Sequence, residues 1–135
     1  MRTESAAGKV EGTTTNAPRI VLVDDDRQVV RFLKSALEEN GYSVTATTSG
    51  KRALDILEKR LPDLLILDLN MPEPDGLDLL RAGRSRFPYL RILVISGYLH
   101  GALLETAEIL GAIATLKKPV TAEALGLKVR AVLGR

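Results

Sequence analysis

The stretch from Leu64 to Gly76, Leu-Leu-Ile-Leu-Asp-Leu-Asn-Met-Pro-Glu-Pro-Asp-Gly, constrains this chain more than any other. Its apolar run shows no alternation. It therefore reads as a strand buried on both faces, the kind found in parallel sheets covered by helices. The run meets one carboxylate, Asp68, and Pro72, Pro74 and Gly76 then stop regular structure from continuing. In open α/β sheets the carboxyl ends of the strands form the ligand crevice, so Asp68 is delivered to the edge where chemistry is done. Taken alone, it is equally compatible with a turn carboxylate that merely ends a strand.

The same design recurs along the chain. Ile20 to Val23 is a short apolar run that ends in Asp24-Asp25-Asp26, and Tyr42 to Thr47 reads as a second strand. Between them Val29, Leu33, Ala36 and Leu37 recur at helical spacing, and Asn40-Gly41 supplies the stop. Ser49 to Arg60 is a second helix, with Ala53, Leu57 and Leu61 expected on one face and Pro62 closing it. After the central strand, Leu77, Leu80, Gly83 and Phe87 fit a helix ending near Pro88. Arg91 to Ile95 makes a fourth strand, ending at Ser96-Gly97. Leu103, Ala107 and Leu110 define a helix capped by Gly111, Ala112 to Leu116 a fifth strand, and Leu125, Val129, Val132 and Leu133 a final helix. Five strand–helix units with such short connections fit an open parallel sheet with helices on both sides.

Residues 1–18 have no apolar period and end in Asn-Ala-Pro, so they read as a disordered tail before a single domain over 19–135. That size supports one core. With 19 basic and 17 acidic residues the charge is near balance, and no basic block is interleaved with aromatic residues, so neither a nucleic-acid nor a membrane-surface partner is indicated. The absence of cysteine removes disulfides, thiol catalysis and Cys-ligated metals together. With no secretory or spanning segment, the expectation is a cytoplasmic protein.

The strands deliver Asp24 and Asp25, Asp68, Ser96 and Lys118 to one crevice. Three crowded carboxylates repel one another, and one takes up a proton unless a cation sits among them. A hard divalent ion with oxygen ligands, Mg²⁺ foremost, meets that demand. A hydroxyl and an ammonium on the other side complement a phosphoryl group. Each residue also has a duller reading: the Asp triplet as a helix cap, with Asp26 doing that work, Ser96 as a turn residue, and Lys117-Lys118 as a solvated charge pair. Their conjunction at one sheet edge favours the site.

On these residues the chain resembles the receiver domains of bacterial response regulators, from Arg19 to about Leu133, and in particular a stand-alone receiver of the chemotaxis type. The acidic pair Asp24-Asp25, the Leu-Leu-Ile-Leu-Asp-Leu-Asn-Met-Pro stretch with Gly76, the Val-Ile-Ser-Gly step and Lys118-Pro119 carry the likeness. The resemblance implies a flavodoxin-like α/β fold with strand order 2-1-3-4-5 and five helices. It implies that Asp68 is the phospho-acceptor, that Asp25 binds Mg²⁺ directly and Asp24 through water, and that Asn70 gives the metal its backbone carbonyl. Ser96 becomes the switch hydroxyl, Lys118 the partner of the phosphoryl oxygen, and the Lys118–Pro119 peptide cis. The implied partners are a histidine kinase or phosphotransfer protein and a downstream protein on the face of the fourth helix, fifth strand and fifth helix. Phosphorylation-driven pairing of two copies is allowed. Such a domain is a signalling switch rather than an enzyme.

Two departures stand out. Receivers usually carry an aromatic ring three residues before the site lysine, and here that position is Thr115. Tyr98, two residues after Ser96, is the nearest substitute, and the resemblance places it where a residue controls water access to the phosphoryl group. The chain also ends just after the last helix, so output is expected by contact. A haloacid-dehalogenase-like phosphatase is the main rival, but its second acid would stand at Asn70. A P-loop is excluded because Ser49-Gly50-Lys51-Arg52 lacks the upstream glycine and the following Ser/Thr. A pseudo-receiver that keeps only the fold is the remaining alternative. His100, the single histidine, is given no role.

Overall fold

The computed structural model describes residues 16–71, 76–97 and 101–134, the side chains of 101–104 excepted. Five strands, β1 (Arg19–Val23), β2 (Ser43–Thr47), β3 (Leu64–Asp68), β4 (Ile92–Ser96) and β5 (Ala114–Lys117), alternate with five helices. The helices are α1 (Arg27–Glu39), α2 (Gly50–Lys59), α3 (Gly76–Arg86), α4 (Gly101–Ile109) and α5 (Ala122–Leu133). All strand pairs are parallel, in the order β2-β1-β3-β4-β5 that the resemblance implied.

Strand alternation divides the core into two layers. Val21, Val23, Leu65, Leu67, Ile92 and Val94 pack against Ala53 and Leu57 of α2, Leu79 and Leu80 of α3 and Ala107 of α4. Ile20, Leu22, Leu64, Ile66, Leu93 and Ile95 pack against Leu33 and Leu37 of α1 and Leu125 and Val129 of α5. β3 and β4 are buried along their whole length. Each such aliphatic side chain contributes roughly 1.5–3 kcal/mol, and this reserve lets the sheet carry buried charge at its end.

Local signals act where the sequence placed them. Asp26 caps α1 by accepting from the N–H groups of Gln28 and Val29, Gly41 takes φ +93° after Asn40, and Gly111 takes φ +103° after α4. Three boundaries move for definite reasons. The Tyr42 N–H closes α1 on the Leu37 carbonyl, so the β2 ladder begins at Ser43. The Ala112 N–H likewise returns to the Ala107 carbonyl, which delays β5 to Ala114. Leu61 does not join Ala53 and Leu57: α2 ends at Lys59, Arg60 is extended with Pro62 close behind, and Leu61 turns to solvent. Of the tail expected over 1–18, residues 1–15 lie outside the described residues, while the Pro18 carbonyl accepts from the Ser43 N–H at the sheet edge. Among the described residues no helix is long and apolar enough to cross a membrane.

Candidate functional site

The register of the sheet assembles the site. Val23 pairs with Leu67, so the next residue on each strand, Asp24 and Asp68, are neighbours. By alternation both follow Leu22 and Ile66 toward the α1 and α5 layer. Asp68 pairs with Ile95 and Ser96 with Lys117, so Ser96 and Lys118 sit one step further along the same edge. α3 closes against this edge through Gly76, where a Cβ would overlap the Leu69 Cα and the Asp68 carbonyl oxygen. Gly76 is therefore a close-packing residue as well as the end of the loop.

One carboxylate oxygen from each of Asp24, Asp25 and Asp68 lies within 4.8 Å of the others. Asp24 and Asp68 are 1% and 2% exposed, whereas Asp25 is open to solvent. The Lys118 Nζ donates to Asp24 Oδ2 at 3.0 Å and to Asp68 Oδ2 at 3.3 Å, so a single cation bridges the two buried acids. The remaining oxygens are also engaged: Asp24 Oδ1 accepts from the Asp26 N–H at 3.0 Å and Asp68 Oδ1 from the Asn70 N–H at 3.0 Å.

Burial pushes the Asp68 carboxyl up. The Asn70 N–H opposes that push, Asp24 adds to it by repulsion, and Lys118 works against it. Burial also works against the Lys118 charge, but its hydrogen bond and attraction to Asp24, with Asp68 added, outweigh it and hold the ammonium above the ordinary lysine value. Lys118 stays charged and Asp68 is the acid with the unmet electrostatic demand. An all-oxygen donor set with one member in solvent suits a hard divalent ion that keeps part of its water shell.

The resemblance-based placements meet the structure unevenly. Asp24, Asp25, Asp68 and Lys118 come together, and the Lys118–Pro119 peptide is cis. Ser96, fully buried, is engaged rather than free: its hydroxyl donates to Asn70 Oδ1 at 3.3 Å. That side-chain carbonyl also accepts from the Gly97 N–H at 2.6 Å. Sequence reasoning assigned Asn70 only a backbone role and missed this contact. An acceptor two residues beyond the strand-end acid was the available signal. Thr115 lines an open groove of about 410 Å³ with Ile113, Lys128 and Val132, between α4 and α5. Tyr98 and His100 lie outside the described residues. A second feature the sequence did not announce is a groove of about 530 Å³ beside Lys118, lined by Val29, Phe32, Leu33, Pro119 and Val120.

Comparison with known proteins gives a consistent picture. Residues 20–130 match the model of the response regulator receiver domain. The chain is 40% identical over 119 residues to the response regulator MprA of Mycolicibacterium vanbaalenii, covering 87% of this chain and 51% of that one. It is 33% identical over 120 residues to the alginate biosynthesis transcriptional regulatory protein AlgB of Pseudomonas syringae, covering 87% and 26%. The chain thus spans about a quarter to a half of the length of these relatives. Among solved structures it is similar to a CheY-like response regulator receiver domain protein from Methanospirillum hungatei, at 27% identity and a TM-score of 0.83, covering 88% of this chain and 95% of that one.

Proposed function

This chain belongs to the response regulator receiver domain family, and on that premise we propose that Asp68 accepts a phosphoryl group from a histidine kinase or histidine phosphotransfer protein and thereby switches a partner-binding face. Receiver domains are signalling domains of two-component systems, which work with histidine kinases, and are not enzymes in the ordinary sense. The observation that carries the reading is the paired geometry of Asp24, Asp25 and Asp68 within 4.8 Å and Lys118 bridging two of them.

In the proposed transfer an Asp68 carboxylate oxygen attacks phosphorus in line, an O–P bond forms, and the P–N bond to the donor imidazole breaks. The electron pair leaves with the imidazole nitrogen. The reaction is mostly positioning and charge neutralisation. Lys118 supplies one fixed positive charge, and Asp68 is held in place by the Asn70 N–H. Asp25, Asp68, the Asn70 backbone carbonyl and Asp24 would hold Mg²⁺, which would supply the remaining neutralisation of charge. Ser96 and Lys118 then present donors to the new phosphoryl oxygens.

The donor approaches from the solvent side of Asp25, where the groove around Phe32 and Pro119 offers an apolar seat beside the acids. The output face is that of α4, β5 and α5, where Ile109, Ile113 and Leu127 are exposed. A downstream protein, or a second copy of this chain, would cover them. Tyr98 is proposed to slow loss of the phosphoryl group by keeping an attacking water out of line. A phosphatase is disfavoured because Asn70 stands where its second acid would be, and its side chain is committed to Ser96 and Gly97.

The test is incubation with a small phosphodonor and Mg²⁺, followed by intact-mass measurement. One phosphoryl group is expected on the wild type, none on Asp68→Asn, and none in chelator. A phosphorylated Asp68→Asn protein would overturn the assignment, and steady release of inorganic phosphate from a phosphomonoester would favour the hydrolase.

A further inference from the structure

Asn70 carries a role that goes beyond its backbone carbonyl. Its side-chain Oδ1 receives two donors from the end of β4, the Gly97 N–H at 2.6 Å and the Ser96 hydroxyl at 3.3 Å. The amide orientation follows from the chemistry, since a backbone N–H can only donate and only the carbonyl of the carboxamide accepts. The turn is held from the other side as well: the Lys118 N–H donates to the Ser96 carbonyl at 2.8 Å. Gly97 lies between Asn70 Oδ1 and the Lys118 stem, each within 3.6 Å of where its Cβ would be.

Strand alternation explains why Ser96 and Asp68 start on different faces of the sheet. Ser96 continues the sequence Ile92 and Val94, which face the α2, α3 and α4 layer. Asp68 continues Leu64 and Ile66, which face the other layer. The Ser96 hydroxyl therefore leaves β4 on the opposite face from the Asp68 carboxylate, and Asn70, which lies beyond the end of β3 and is no longer bound by its alternation, receives it. A hydroxyl has one proton to donate. Ser96 cannot give it to Asn70 and to an oxygen on Asp68 at the same time.

We infer that Asn70 is a positioning residue whose carboxamide oxygen holds the Ser96 hydroxyl and the Gly97 N–H in the resting arrangement, and that an anionic oxygen on Asp68 must displace it to recruit those donors. The Asn70 oxygen is a neutral acceptor, and a phosphoryl oxygen is a charged one that forms hydrogen bonds roughly twice as strong. The exchange is thus downhill once the anion is present and uphill without it. The second half of this inference rests on Asp68 being the phospho-acceptor; the first concerns the unmodified protein alone.

Two measurements separate the halves. In metal-free, unmodified protein, hydrogen exchange at the Gly97 amide is expected to rise about fivefold in Asn70→Ala, the equivalent of one ordinary hydrogen bond. It should stay protected in Asn70→Asp, which keeps an acceptor at the same reach. An unchanged Gly97 amide in Asn70→Ala would overturn the latch. At saturating Mg²⁺, beryllofluoride, a mimic of the acyl phosphate, is then expected to bind Asn70→Ala about fivefold more tightly than wild type, because the competing acceptor has gone. A residue that merely supported the loop would weaken binding, and equal or weaker binding would overturn the competition. Beryllofluoride binding that is equally strong in Asp68→Asn would count against the phospho-acceptor reading and leave the Gly97 result to judge the latch.

Discussion

At the ends of β1 and β3 the chain buries two carboxylates and pins them with one lysine, whereas around β5, two strands from β3, the flanking α4, α5 and the turn before β5 leave apolar side chains in water. Asp24 and Asp68 are buried on the α1 and α5 side of the sheet, and each of their four carboxylate oxygens has a donor. On the other flank β5 is only half buried, and Ile109, at 84% exposure, stands in solvent with Ile113 and Leu127. A buried acid pair is costly unless its partners are fixed, so the first region must be rigid. A lightly clad flank opens or shifts at small cost, which suits a surface that changes on signal. If Asp68 is the phospho-acceptor proposed above, the chain separates the place where charge arrives from the place where its arrival is felt, and Ser96, Gly97 and Asn70 stand between them.

The largest effect that would break this division lies at Asp25. Its carboxylate is the exposed member of the acid cluster, so Asp25→Ala should leave the core untouched and relieve repulsion in the metal-free protein. Mg²⁺ at a hundredfold excess over its dissociation constant stabilises a single-site protein by roughly 2.7 kcal/mol. That increment should appear in thermal melts of the wild type and vanish in Asp25→Ala. Equal increments in both proteins would remove Asp25 from the ligand set and with it the picture of a solvent-open metal position.

The rigid region was the legible one. Ile20 to Val23 and Leu64 to Leu67 announce buried strands because parallel strands need apolar side chains on both faces, and the acids that follow each run mark the sheet edge. The cap at Asp26 and the stops at Gly41 and Gly111 are local chemistry and were equally readable. What escaped depends on contacts between distant segments. The Asn70 side chain reaches Gly97 across 27 residues, and the Arg84 guanidinium reaches Gly111 across the same separation. Leu61 was misplaced because helical spacing carried through a residue that Pro62 had already forced to be extended. The exposure of Ile109 and Leu127 is also invisible to periodicity, which marks apolar residues without saying whether anything covers them.

A smaller effect would sharpen the contrast on the lightly clad flank. Arg84 donates to the Pro88 carbonyl at 2.6 Å and to the Gly111 carbonyl at 2.7 Å, tying the α3–β4 loop to the turn after α4. Its Nε is buried with no partner among the described residues, which offsets part of the gain. Arg84→Ala should therefore cost about 1 kcal/mol, near the ordinary worth of a hydrogen bond. Gly111→Ala should cost more, about 1–2 kcal/mol, because φ is +103° and the new Cβ would stand 2.7 Å from Arg84 Nε. Denaturant melts give the totals, and hydrogen exchange should locate the loosening around α4 and the α3–β4 loop. Loosening that spread equally through β1 and β3 would mean the two flanks form one cooperative unit.

The smallest expected effect is a slope with pH, and it tests whether the buried acid is under the strain its surroundings imply. Burial raises the Asp68 carboxyl in the folded, metal-free protein. Between the ordinary carboxylate value of about 4 and that raised value, the folded chain holds a proton that the unfolded chain has released. Stability then falls as pH rises through this window, because the folded state binds more protons than the unfolded state. The Asp68 contribution is fully present below the ordinary value and is lost above the raised one. Asp68→Asn removes the titration, so the stability difference between wild type and variant should slope downward from about pH 4 and then level off. Thermal melts in chelator across that range make the comparison. With Mg²⁺ present the slope should shrink or reverse, since a cation among the three acids favours the charged form of Asp68. A flat difference in chelator would mean that Lys118 already satisfies Asp68, leaving the electrostatic demand for a metal to Asp24 and Asp25.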